Sequence, residues 1–82
     1  MSPKLSTKNK TMTLEEVRPG KLHRLHSIKG DRQFQSRLAT LGFVPGVELL
    51  VIQGNIEGPL LVEIKGSRMM IGKDVARNLV VG

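Results

Sequence analysis

His23-Arg24-Leu25-His26 contains the two side chains of this sequence best suited to holding a metal ion. On a helix, a spacing of three sets both imidazoles on one face. On a strand, where side chains alternate, it sets them on opposite faces. The residues around them read as a strand, and the chain has no Cys to complete a ligand set. His23 and His26 are therefore the metal-ligand candidates only if a bulge realigns them, and the expectation is no bound metal and no cofactor. The carboxylates offer no alternative. Glu15, Glu16, Asp31, Glu48, Glu57, Glu63 and Asp74 are scattered along the chain. Glu48 and Glu63 alternate with apolar neighbours as outward strand residues do, and no two carboxylates are placed as an acid/base pair. Ser27, Ser36 and Ser67 lack the turn sequence of a serine nucleophile. The run from Gly42 to Gly46 lacks the Lys-Ser/Thr that completes a phosphate loop. The expectation is a protein without enzymatic activity.

What remains is charge. Arg18, Arg24, Arg32, Arg37, Arg68 and Arg77 suit phosphate contacts, or pairing with carboxylates on an acidic protein surface. The net charge is +6. Lys4, Lys8 and Lys10 carry half of it, ahead of any acid, so residues 13–82 are only mildly basic. With two Phe and no Trp or Tyr, the chain has no aromatic platform for stacking bases or gripping Pro-rich peptides. The absence of Cys excludes disulfides, zinc fingers and iron–sulfur clusters. No apolar run approaches the roughly 20 residues of a membrane span, and no apolar signal segment is visible. A cytoplasmic location is the expectation.

The elements that must position these groups fit one small domain of 82 residues. Residues 1–11 read as a disordered basic tail and 12–82 as the domain. Leu14 to Val17 reads as a short turn stopped by Pro19-Gly20. Residues 21–28 read as a strand whose apolar members, Leu22, Leu25 and Ile28, are three apart, which predicts a bulge near Arg24 or Leu25. Asp31 suits the N-cap of a helix over 32–41, with Phe34, Leu38 and Leu41 inward and Arg32, Gln35, Ser36 and Thr40 outward. Gly42 suits the left-handed residue that closes the helix, and Pro45-Gly46 the centre of a type II turn. Strands follow over 47–53 and 60–65, then a hairpin turn at Gly66-Ser67 and a strand over 68–72. A helical turn over 73–78 places Val75 and Ala76 inside, and 79–82 is a terminal strand. About five short antiparallel strands with one inserted helix make a mainly β fold, a small closed or half-closed barrel.

Three runs together resemble the ferrous iron transport protein A family. They are Leu38-Ala-Thr-Leu41-Gly42-Phe43-Val44-Pro45-Gly46-Val47, Gly58-Pro59-Leu60-Leu61-Val62 and Lys65-Gly66-Ser67-Arg68-Met69-Met70-Ile71. The resemblance spans residues 13–82. It implies an SH3-like barrel with an inserted helix, like the C-terminal domain of iron-dependent repressors. It also implies a cytoplasmic accessory protein acting on the membrane GTPase-permease ferrous iron transport protein B, and peripheral at the inner membrane through that partner. The residues that carry it, Leu38, Leu41, Gly42, Pro45, Gly46, Gly58, Pro59 and Gly66, form the fold and transfer no catalytic site. Two other classes fit the residues: a nucleic-acid-binding small β-barrel, and a stand-alone regulatory domain of the iron-dependent-repressor kind. The expected docking surface is the polar helix face, Arg32, Gln35, Ser36 and Thr40, with Arg37 adding charge and Phe43 an apolar anchor. Since residues 1–11 hold no apolar residue beyond Met1 and Leu5, their deletion is expected to leave the thermal melt unchanged.

Overall fold

A computed structural model describes residues 11–54 and 58–82. The expectations for the basic tail before Thr11, and for Glu57, lie outside the described residues. The chain forms β1 (Met12–Thr13), a 3-10 turn (Leu14–Glu16), β2 (Leu22–Ile28), α1 (Arg32–Thr40), β3 (Glu48–Gly54), β4 (Leu60–Ile64), β5 (Ser67–Ile71), α2 (Lys73–Ala76) and β6 (Leu79–Val81). Six strands make one antiparallel sheet in the order β1-β6-β2-β3-β4-β5. This is a mainly β fold of the small SH3-like kind, with α1 inserted between β2 and β3.

Strand β2 carries the bend that curls this sheet. Its first half pairs with β3, with Leu22 opposite Leu50 and Arg24 opposite Glu48. Its second half pairs with β6, with Leu25 opposite Val81 and Ile28 opposite Leu79. The register shifts between Leu25 and Ser27, so the bulge falls at His26, just past the expected position. An extra residue there lets the strand turn from one partner to the other. Leu25 holds the corner: its N–H donates to the Val47 carbonyl at 2.9 Å, and its carbonyl accepts from the Gly46 N–H at 2.7 Å.

The core is wholly apolar. Leu14, Leu25, Leu49, Val51, Val62, Leu79 and Val81 are buried almost completely, and no polar or charged residue is buried among the described residues. Two expected core members are not in it. Leu22 is 63% exposed and Leu41 is 52% exposed. Strict alternation back from Leu25 turns Leu22 to the outer face, because the bulge that breaks the period lies beyond Leu25 rather than before it. Leu41 follows the last helical residue and caps it, so the helical period no longer applies to its side chain.

The end of α1 closes as expected. The Gly42 N–H donates to the Ala39 carbonyl and the Phe43 N–H to the Leu38 carbonyl, both at 3.0 Å. This is the Schellman arrangement, with Gly42 at φ 104. The Val47 N–H reaches back to the Val44 carbonyl at 3.1 Å across Pro45-Gly46, and Gly46 has φ 95, as a type II turn requires. The β4–β5 turn differs from expectation. Ile64 pairs with Ser67, so the turn residues are Lys65 and Gly66, at φ 49 and 84. Two consecutive left-handed residues make a type I′ turn, whose twist matches its strands, and Ser67 joins β5. The sixth strand is β1. Its two residues, paired with Val80 and Val81, are too few to show any alternation in the sequence.

Gly42→Val forces a β-branched residue into the left-handed region and is expected to cost roughly 1–3 kcal/mol. Leu25→Ala, at the corner of β2, is expected to cost about 2–5 kcal/mol. Leu22→Ala, on the outer face, is expected to leave the melt nearly unchanged. Denaturant or thermal unfolding of the three variants checks the set.

Candidate partner-docking surface

Helix α1 presents the polar face that the sequence suggests. Asp31 caps it, accepting the Phe34 N–H at 2.9 Å. Phe34 and Leu38 face the core, Leu38 fully and Phe34 in part. The ring of Phe34 lies over Gly30, where a Cβ would stand 2.7 Å from it, and this close approach seats the first turn of the helix. Arg32, Gln35, Ser36, Arg37 and Thr40 are all exposed.

These five do not play equal parts. The Gln35 amide donates to the Gly30 carbonyl at 2.9 Å, and the Thr40 hydroxyl donates to the Arg37 carbonyl at 2.7 Å. Both side chains are turned back onto the helix and its entry. Arg32, Ser36 and Arg37 remain as the outward groups. Phe43 is no anchor for a partner. It is 0% exposed, because the residue after the closing glycine of a Schellman end packs against the helix residue five positions before it, here Leu38.

Exposed apolar surface comes from residues that sequence periodicity assigned elsewhere. Val44 and Pro45 form a ridge between two shallow clefts. One cleft, about 350 Å³, runs beside α1 between Arg32, Ser36 and Ala39 and the ridge. The other, about 810 Å³, lies over the outer face of β2 and β3, floored by Leu22 and Leu50 and edged by Arg24, Glu63 and Lys65. The outward turn of Leu22 was readable by counting back from Leu25 in twos.

Among the described residues, charge outside salt bridges is mostly positive. Glu48 pairs with Arg24 at 3.2 Å, Glu63 with Arg68 at 3.2 Å and Glu15 with Arg77 at 3.3 Å. Glu16 accepts the Thr13 N–H, and Asp31 caps α1. Most described carboxylates are thus engaged. Arg18, Lys21, Lys29, Arg32, Arg37 and Lys65 form no salt bridge among the described residues. Such a surface favours a partner that brings carboxylates.

The two histidines differ in exposure and surroundings. His23, partly buried, faces Leu49 across the strand pair, and its Nδ1 has no hydrogen-bond partner. His26 is exposed and sits against Gly82. No group of three or more His, Cys, Asp or Glu converges among the described residues.

Comparison with known proteins places this geometry. The family model described as FeoA domain matches residues 12–82. The chain belongs to the FeoA domain family. A crystal structure of an iron uptake regulatory protein (FeoA) is 28% identical, with a TM-score of 0.82 over 88% of this chain and 96% of that one. Stenotrophomonas maltophilia FeoA, crystallised with zinc and described as a prokaryotic SH3 domain protein, is 29% identical, with a TM-score of 0.74 over 87% and 89%. A manganese-dependent transcriptional repressor shares the fold, with 22% identity and a TM-score of 0.78, over 87% of this chain and 40% of the repressor. No curated protein sequence matches significantly. Within the FeoA domain, the family-like residues Leu38, Gly42, Pro45, Gly46 and Gly66 fall at the helix end and the two tight turns. Gly58 and Pro59 lead into β4. All are structural positions.

Stoichiometric ferrous iron or zinc is expected to leave the melting temperature unchanged, for the wild type and for His23→Ala and His26→Ala alike. Differential scanning calorimetry with each metal checks this. A tight site lost in both variants would contradict this expectation.

Proposed function

We propose that this protein is a non-catalytic accessory of ferrous iron uptake. In this reading it acts in the cytoplasm, by docking on the cytosolic part of the membrane GTPase-permease, ferrous iron transport protein B. The observation that carries the reading is the FeoA family match over residues 12–82. The Stenotrophomonas relative has itself been suggested as a ferrous iron transport activating factor. The surface supports the same reading. Among the described residues its core is purely apolar, its clefts are shallow, and its outward α1 face carries Arg32 and Arg37 without carboxylate partners. None of the described helices is long and apolar enough to cross a membrane, so association with a membrane would run through the partner. A patch of this size falls below the standard area of a stable interface, so binding belongs to the weak, transient class.

Titration of the chain against the partner's soluble G domain and the full-length permease tests the proposal, with an oligonucleotide as control. Arg32→Glu with Arg37→Glu is expected to weaken binding about tenfold and to leave the melt unchanged, since both residues are exposed and neither forms a salt bridge among the described residues. Binding to the oligonucleotide alone, abolished by modest salt, would instead establish the nucleic-acid reading.

A further inference from the structure

We propose that β5 is a self-complementary edge through which two copies of this chain associate by antiparallel strand pairing. This rests on the β4–β5 hairpin and is independent of the docking face on α1.

Strand β5 ends the sheet at one side. A two-residue turn makes the flanking pair, Ile64 and Ser67, exchange both backbone hydrogen bonds. Antiparallel pairs then alternate. Val62–Met69 and Leu60–Ile71 are hydrogen-bonded pairs, and Glu63–Arg68 and Leu61–Met70 are not. The N–H and C=O of Arg68 and Met70 therefore point away from β4. Among the described residues no backbone group accepts or donates to them. Of the usual edge protections this edge carries one charge, Arg68, which Glu63 already pairs, and it has no Pro, no Lys and no inward charge. Its exposed apolar side chain is Met70, 60% accessible.

A second copy fits these groups in one two-fold register. With Met69 on the axis, Arg68 stands opposite Met70 of the other copy, and Met70 opposite its Arg68. Each of these pairs exchanges two hydrogen bonds, so every free group on both edges finds a partner. The two Met69 residues face each other as the non-hydrogen-bonded pair between them. The charges agree with this register. Each Arg68 remains within 3.2 Å of its own Glu63, and its aliphatic stem covers Met70 of the other copy. Sliding the strands to bring Arg68 opposite Arg68 sets like charges face to face and leaves both Met70 backbones without the pairing. At the other end of the sheet, β1 has two residues and offers no comparable edge. Five residues a side make a small interface, so the association is weak and depends on concentration.

Sedimentation velocity on the full chain over rising concentration tests this, and the expected result is a mass growing from one chain toward two. Met70→Lys sets an ammonium opposite the other copy's Arg68. It is expected to weaken association at least tenfold with an unchanged melt, because Met70 is exposed. Met70→Pro removes an edge N–H that β4 does not use and is expected to do the same; should it fail to fold, Met70→Lys alone decides. The chain has no cysteine, so Met69→Cys tests the register directly. Facing thiols of a non-hydrogen-bonded pair lie within disulfide reach, and oxidation in air is expected to give a covalent dimer. A single-chain mass at every concentration would overturn the proposal. So would a dimer indifferent to Met70→Lys, or a folded Met69→Cys variant that does not cross-link, including the case in which the edge takes a strand from a different protein.

Discussion

Leu25 binds two strands at once, and the domain is organised around that corner. Its backbone N–H and C=O are held from the β3 side by Val47 and Gly46, while its Cα neighbour on the other side is Val81 of β6. Its side chain is buried between them. A strand that pairs with one partner along its first half and another along its second must turn sharply, and the bulge at His26 supplies the turn. Without it the chain would form a flat, open sheet with one face unable to bury its Val and Leu residues. With it, the two halves of the one sheet wrap a single apolar interior, which a domain of this size needs to be stable at all.

The same corner orders the surface. Once Leu25 points inward, Arg24 and Leu22 point outward, next to Glu48 and Leu50 of β3. The Val44–Pro45 ridge follows from the helix end and the type II turn, which bring the chain from α1 back to β3 in a few residues. The clefts on either side of the ridge are consequences of these turns rather than cavities in the core. A protein built this way meets partners with its rim. Its interior holds no group able to do chemistry among the described residues, and its outer charges are mostly cations whose local carboxylates are already committed to caps and pairs.

Much of this was readable from residue types, and the failures have physical causes. Asp31, Gly42 and Pro45-Gly46 announce a helix start, a helix end and a turn, because each has a backbone conformation or hydrogen bond that few other residues supply. The exposure of Arg32, Gln35, Ser36, Arg37 and Thr40 follows from helical spacing. Leu22 and Leu41 depart from expectation for separate reasons: unbroken alternation back from Leu25 turns Leu22 outward, and Leu41 lies just past the end of the helical period. Phe43 departs in the opposite direction: it follows the helix in sequence, yet the Schellman end folds it back onto Leu38. Strand β1 is beyond pattern reading, since two residues become a strand only through β6. What docks on α1 is likewise no property of spacing, since spacing reports exposure and not the partner.

The position of β6 has a consequence for how the chain acquires its structure. Residues 79–81 follow every other described strand in the chain, yet they lie between β1 and β2, pairing with residues more than fifty positions earlier. A growing polypeptide therefore cannot complete this domain piecemeal. The β3–β4–β5 meander can form from neighbouring segments, but Leu14, Leu25 and Ile28 stay uncovered until β6 arrives. Contacts of such long sequence separation slow folding, because loop closure must come before the pairing that rewards it. A chain cut short before Leu79 would leave an apolar, Val-rich interior exposed, and such surface is prone to aggregate.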